Sequence, residues 1–430
     1  MTILPDPNAL HAITYTSGKL QVPFQPVIPY IEGDGIGPEI WKSTKQVIDH
    51  AIDLAYQEKK QILWKEVLAG EKSFQLTGSW LPQETITAFK NYLVGIKSPL
   101  TTPVGQGRRS LNVALRIELD LYTNLRPIRY LAGAPSPLIN PAGIDIVLFR
   151  ENTEDVYTGI EFENGSKDTA DVLNFLATHF PDRYQKIRFP NTTALGFKPV
   201  SREGSERILR CAIQWALYNH RSRLTIVHKG NIMKFTEGAF LKWGYDLAEQ
   251  EFSAHCFTMR QWQQIAENNG ELAANQKKDE ARKNGLLIID SMIVDAAFEY
   301  AITQPQNFDV LVTTNLNGDY LSDALAALVG GLGIAPGANI NFNTGHAIFE
   351  AAHGTAPDIA GKELSNPSSL ILTSVLLLRY IGWNEAANLI ENGLKKTLAC
   401  HIVTPDFAAR LHGSTQVATS AFAGEIIQRM

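Results

Sequence analysis

Two aspartates, Asp319 and Asp323, stand four residues apart in NLNGDYLSDALAAL, and the run turns strongly apolar directly after them. At helical spacing they share a face and repel one another. Burial of such a pair against an apolar helix is costly unless a cation compensates. Mg²⁺ or Mn²⁺ suits them, because hard ions take one or two carboxylates together with substrate oxygens and water. The alternative is that the pair complements the dipole of a solvated helix N-terminus. Asp295, in SMIVDAAF, is a third acid in an otherwise apolar stretch.

A second group is basic. Arginines concentrate between 108 and 150, including Arg116, Arg126, Arg129 and Arg150. Ser110, Asn112 and Arg116 lie in SLNVALR, where helical spacing puts Asn112 and Arg116 on one face. Guanidinium forks converging beside a hydroxyl and an amide make a site for a polycarboxylate; scattered surface arginines are the bland alternative. Lys229 follows the strand-like Leu224–His228. A lysine at the carboxyl end of a strand, in the crevice where α/β sheets take ligands, can have its pKa lowered and move a proton. Tyr157 sits among acids in RENTEDVYTG and, taken alone, reads more readily as structural.

These residues need a scaffold. Strand-like runs at 27–31, 92–96, 145–149, 224–228, 286–289 and 309–313 alternate with helical patterns at 40–56, 202–218, 238–251 and 321–329. Such alternation argues an α/β fold. Gly33-x-Gly35-x-Gly37 between the first strand and helix tempts a dinucleotide-fingerprint reading, with Asp53 near the distance of a ribose-binding acid. The spacing is GxGxG rather than GxGxxG, so a tight loop needing positive φ is an equal reading. The polar stretch 261–284 reads as a solvated surface insertion, and the uncharged run 324–349, broken by glycines and asparagines, as a helix end plus buried loops.

The 430 residues suggest two or three domains with ample core, and 44% hydrophobic against 19% charged residues excludes a disordered chain. A net charge of -5 excludes a polyelectrolyte that holds nucleic acid by bulk charge. Three scattered cysteines argue against a disulfide framework or structural zinc. With neither a signal peptide nor a membrane span legible, a cytoplasmic protein with no membrane partner is expected.

Taken together, GDGIGPE at 33–39, TTPVG at 101–105, RSLNVALR at 109–116, LRP at 125–127, FRENTEDVYTGIE at 149–161, VHKGNIMKFTEGAF at 227–240, NLNGDYLSDALA at 315–326 and EAAHGTAPDIAG at 350–361 resemble the bacterial-type isocitrate dehydrogenases, within the decarboxylating β-hydroxyacid dehydrogenase family. The resemblance runs over nearly the whole chain. It implies a homodimer with shared active sites. In that fold 1–121 and 330–430 form a large domain, 122–154 and 202–329 a small α/β domain, and 155–201 a β-clasp. Matched motif positions imply that Ser110, Asn112, Arg116, Arg126 and Arg150 bind isocitrate. They also imply that Asp319 and Asp323 hold Mg²⁺ or Mn²⁺ together with Asp295 of the partner subunit. Lys229 would remove the hydroxyl proton and Tyr157 would protonate the carbon left by CO₂. Thr101, Thr102, His353, Gly354, Thr355, Ala356, Pro357, Asp358, Ile359 and Asn366 would line the coenzyme. Ser110 and Asn112 offer hydrogen bonds to a third carboxylate, which favours isocitrate over the alkyl-bearing substrate of isopropylmalate dehydrogenases.

The resemblance breaks at one place. NADP-using bacterial members carry a Lys-Tyr pair after HGTAP and a Tyr and an Arg on a later loop. Here Asp358-Ile359 follow HGTAP, and Pro405 and Ala409 stand on the later loop, with Arg410 one residue out of register. A carboxylate at 358 would accept from ribose hydroxyls and repel a 2′-phosphate, at a cost of order several kcal/mol. NAD is therefore the expected coenzyme, preferred by about a hundredfold or more.

Overall fold

The computed structural model describes residues 11–101 and 110–430. Their central feature is one mixed sheet of eleven strands. In chain order these are β1 (Val27–Ile31), β2 (Leu63–Glu66), β3 (Val94–Lys97), β4 (Thr123–Arg129), β5 (Asp145–Glu151), β6 (Arg223–His228), β7 (Cys256–Thr258), β8 (Leu287–Ile293), β9 (Val310–Thr313), β10 (Pro336–Ile340) and β11 (Ala347–Ala351). Their spatial order is β7-β8-β6-β9-β5-β4-β10-β11-β3-β1-β2. Pairing is parallel from β7 to β5 and again from β11 to β2, and antiparallel between β5, β4, β10 and β11. Two parallel blocks, one from the middle of the chain and one from its two ends, are thus stitched by β4 and β10.

The α/β class read from the sequence holds. The apolar runs of β9 (VLVT) and β3 (VGIK) are buried throughout, as strands covered on both faces by helices should be. The first long helix, Gly37–Tyr56, buries Ile40, Trp41, Thr44, Val47, Ile48, Ala51 and Ile52, a single stripe at 3.6 spacing. It starts earlier than its apolar pattern because Pro38 supplies a preset φ where no N–H is needed.

Two readings need correction. The uncharged run 324–349 is not helix end and loops: it contains β10 and the start of β11, both wholly buried. With both faces covered, no polar alternation marked them. The polar stretch 261–284 is largely two helices, Met259–Asn269 and Glu271–Lys283, the first opened by a Thr258–Gln261 capping box. They stay mostly exposed, so surface character was read correctly and structure was missed.

Residues 161–196 leave the main sheet. Glu161–Phe162 pairs with Leu195–Gly196, and the helix Lys167–His179 lies between them. Phe175, Phe189 and Phe197 are about half exposed or more. Among the described residues no helix is long and apolar enough to cross a membrane.

Candidate active site

Register brings the arginines together. In the antiparallel β4–β5 pair Asn124 lies opposite Arg150, and Arg126 is two residues further along β4. Residues opposite one another, and residues two apart on one strand, project to the same face. Arg126 Nε donates to Asn124 Oδ1 at 2.9 Å, and Arg150 Nε to Asn315 Oδ1 at 2.9 Å. Both guanidinium groups are buried, 7% and 2% exposed. Burial, with Arg116 and Arg126 nearby, pulls Arg150 down to about 10, and burial also lowers Arg126.

The helix Asn315–Leu328 covers this face, and its spacing delivers both aspartates to it. Gly318 lies where Arg150 passes: a Cβ there would stand 2.6 Å from Arg150 Cγ. Asp319 is ion-paired to Arg150 through Oδ1, while Oδ2 accepts from the Tyr157 hydroxyl at 2.5 Å. Asp323 Oδ1 lies 3.8 Å from Arg126 Nη1. Burial and the neighbouring Asp319 push the Asp323 carboxyl up, against the opposing pull of Arg126. The Tyr157 phenol is raised to about 12, first by burial and then by its bond to Asp319, and its ring lies 5.0 Å from the Arg150 guanidinium.

Arg116 arrives on the helix Leu111–Glu118, whose N-cap position is Ser110. Its Nη2 donates to Glu350 at 2.7 Å, and Glu350 also binds Lys97 at 2.7 Å and Asn339 at 2.8 Å. Burial would raise the Glu350 carboxyl, but the charges of Lys97 and Arg116 outweigh it and hold the group well below its usual value. Asn339 in turn accepts from Asn124, which closes a buried network around the arginines. Asn112 Oδ1 and Arg116 Nε are buried without a hydrogen-bond partner among the described residues, as groups built to meet a polar ligand would be.

Lys229 and Asp295 form a separate cluster. Lys229 Nζ meets Asp295 Oδ1 at 2.6 Å, and this contact lowers the Asp295 carboxyl. Asp295 is largely exposed, whereas Tyr157 belongs to the Asp319 cluster. The single chain therefore does not bring the expected proton-transfer pair together. Among the described residues no three acidic, histidine or cysteine side chains converge as a metal site, since Asp295 stands apart from Asp319 and Asp323. The donor chemistry of the helix pair nonetheless fits a hard divalent ion, which accepts one or two carboxylates.

The coenzyme candidates lie at the other side. Gly35, with φ of +59°, packs so closely on Thr355 that a Cβ would meet its carbonyl oxygen at 2.1 Å, and Ile36 N donates to that oxygen at 2.9 Å. The glycine loop therefore abuts the HGTAP loop; Asp53 lies on an exposed face of its helix. Buried Asp34 accepts from the Thr101 amide at 2.8 Å. Thr102 lies outside the described residues. His353 Nδ1 contacts Gly354 O at 3.0 Å, and its Nε2 is buried without a partner among the described residues, a cradle suited to a polar ligand. Asn366 donates to Asp406 at 3.1 Å. Ala356 holds a left-handed φ of +39°, Pro357 and Asp358 are exposed, and Ile359 packs on the core.

Comparison with known proteins decides the family. Residues 27–426 match the isocitrate/isopropylmalate dehydrogenase family. The chain belongs to that family. A Staphylococcus aureus protein named isocitrate dehydrogenase [NADP] is 55% identical, over 97% of this chain and 99% of its own. A Streptococcus mutans protein of the same name is 51% identical, over 93% and 94%. The crystal structure of isocitrate dehydrogenase from Methylococcus capsulatus superposes with a TM-score of 0.73 at 35% identity, covering 94% of this chain and 98% of that one.

These relatives overturn the expectation of NAD, because those at 49–55% identity are named for NADP. The argument from Asp358 assumed a desolvated like-charge contact. Its side chain is exposed, and exposed charge contacts are worth at most about 1 kcal/mol. Lys362 Nζ also donates to the Asp358 carbonyl at 2.7 Å, so the same turn carries a compensating cation. Arg410 is anchored on Gly330 O at 3.0 Å.

Sequence reasoning missed Lys97, Glu350, Asn339 and Glu237 as polar groups of this region. Glu350 and Glu237 lie inside motifs quoted above, and Lys97 ends a strand that is otherwise apolar. A charge in a run too apolar to solvate it was the available signal.

Proposed function

We propose that the chain oxidises isocitrate and decarboxylates the product to 2-oxoglutarate, with NADP as hydride acceptor. The observation that carries this reading is the convergence of Arg116, Arg126 and Arg150 on a helix face bearing Asp319 and Asp323, beside Asn112. Three guanidinium groups suit a tricarboxylate and fix it against the coenzyme. Asp319 and Asp323, with Asp295 of the partner subunit, would hold Mg²⁺ or Mn²⁺, whose charge stabilises the oxyanion formed as CO₂ leaves. Lys229 takes the hydroxyl proton. Tyr157 stays protonated across neutral pH, because burial and Asp319 disfavour its phenolate, and it returns a proton to carbon. His353, Thr355 and the turn after them would border the coenzyme, with Lys362 and Arg410 supplying positive charge near a 2′-phosphate.

The separation of Lys229 and Asp295 from Tyr157 supports a cytoplasmic homodimer in which each chain lends this pair to its partner. The exposed phenylalanines of 155–201 suit a clasp that joins the two chains, and the parallel blocks of the sheet read as the large and small domains. The deciding assay is the initial rate of NADP reduction with isocitrate and Mn²⁺. Turnover is expected with isocitrate and not with isopropylmalate; the reverse, or none with either, overturns the reading. Hybrid dimers of Lys229→Met with Asp319→Asn chains test the sharing. One intact site per hybrid is expected, and no recovered activity would place both residues in one chain's site.

A further inference from the structure

Glu237 is fully buried at the start of the helix Glu237–Glu251, although nothing in the proposed chemistry calls for it. Its carboxylate collects four donors from separate elements. Oε2 accepts from the Lys229 backbone N–H at 3.0 Å and from Asn317 Nδ2 at 2.8 Å. Oε1 accepts from Thr314 Oγ1 and meets Lys198 Nζ, both at 2.8 Å. Lys198 also binds Asp155 Oδ1 at 2.6 Å, and Asp155 Oδ2 accepts from the Leu316 amide at 3.0 Å. Asp155, 1% exposed and held at a left-handed φ of +72°, opens the turn that carries Tyr157.

The two carboxylates share one ammonium and close off the N-terminus of the helix that bears Asp319 and Asp323. That placement is favourable for anions, since Thr314 is the N-cap and the first-turn amides lack intrahelical acceptors. A buried ion pair contributes little net stability but is costly to break, which makes it suited to fixing geometry.

We propose that Glu237 is a positioning residue that, through Lys198 and Asp155, locks the Lys229 turn, the Tyr157 turn and the acidic helix into one rigid unit. This inference rests on the reading of those three elements as the reacting groups. On the shared-site reading, Lys229 serves the partner while Asp319 serves its own chain. Glu237 then ties the geometry of one active site to that of the other. The triad lies off the arginine-lined face, so isocitrate binding should be spared while proton transfer suffers.

Glu237→Ala in the full dimer should lower kcat about thirtyfold or more with KM for isocitrate within about threefold, as a displacement of reacting groups would. Glu237→Gln keeps acceptors for Lys229 and Asn317 and can donate to Thr314, so it should stay within about fivefold of the parent kcat. Hydrogen exchange gives a readout independent of turnover: the Lys229 amide should exchange faster in Glu237→Ala and as in the parent in Glu237→Gln. A folded Glu237→Ala enzyme with unchanged kcat, or with unchanged exchange at Lys229, overturns the proposal. If that variant does not fold, Asn317→Ala decides: a loss of about threefold to tenfold in kcat at constant KM supports it, and no loss refutes it. Should the parent fail to oxidise isocitrate, the functional reading falls while the exchange experiment still tests the clamp.

Discussion

The arginine cluster and the HGTAP turn differ in how firmly the fold holds them. Arg116, Arg126 and Arg150 are buried, and each is bonded to an acid or amide from a distant segment, such as Glu350, Asn124 and Asn315. Asp358 lies exposed on a short turn, with Lys362 beside it. A buried charge has few acceptable surroundings, so residue type there carries chemical meaning. An exposed charge has many, and its identity decides little by itself. This is why the reading of isocitrate from the arginine helix survived and the reading of NAD from Asp358 did not.

Three changes would break or sharpen that contrast. The largest effect is expected at Arg150. Arg150→Met leaves Asp319 without its cation and removes a substrate contact, and breaking a buried pair costs about 3–5 kcal/mol, so kcat/KM for isocitrate should fall about a thousandfold. A loss below about tenfold, in steady-state kinetics of a variant with native circular dichroism, would mean that the cluster is as tolerant as the turn.

An intermediate effect is expected at Glu350, on stability. Its carboxyl is held well below the usual 4.5 by Lys97 and Arg116, so the unfolded state binds the proton more readily. The stabilisation is therefore full above about pH 4.5 and drains away as pH falls through the depressed value. Thermal melting followed downward from about pH 6 should show the parent losing Tm more steeply than Glu350→Gln below about pH 4.5. Parallel curves would show that this buried acid is not charged in the folded protein.

The smallest effect is expected at the turn. Asp358→Lys should raise kcat/KM for NADP relative to NAD by only about threefold to tenfold, the range of an exposed charge contact. A shift of a hundredfold or more would place Asp358 in direct, desolvated contact with the coenzyme and remove the contrast.

Much of the architecture was legible because it is local. Residues 202–218 form a helix with those bounds, and Val27–Ile31 forms a strand with those bounds, since each displays its own period. The spacing of Asp319 and Asp323 placed both on one helix face before any fold was known. The buried strands at 336–351 were illegible for the opposite reason: covered on both faces, they lack alternation and resemble interrupted helix or loop. The family resemblance named the residues of both clusters, yet said nothing of Glu350, Asn339 or Glu237.

Those residues mark the boundary between what the chain order determines and what only the tertiary structure decides. Residue type and short spacing determined the helices, the acid pair and the polycarboxylate character of the arginine group, because 3.6-residue and two-residue periods act over a few positions. Tertiary structure alone decided that Lys229 stands with Asp295 and Tyr157 with Asp319. It alone brought Glu350 to Arg116 across 234 positions, and Glu237 to Asn317 across 80. Such contacts depend on strand order and helix docking, and a buried charge finds its counter-charge only once the sheet has assembled around it.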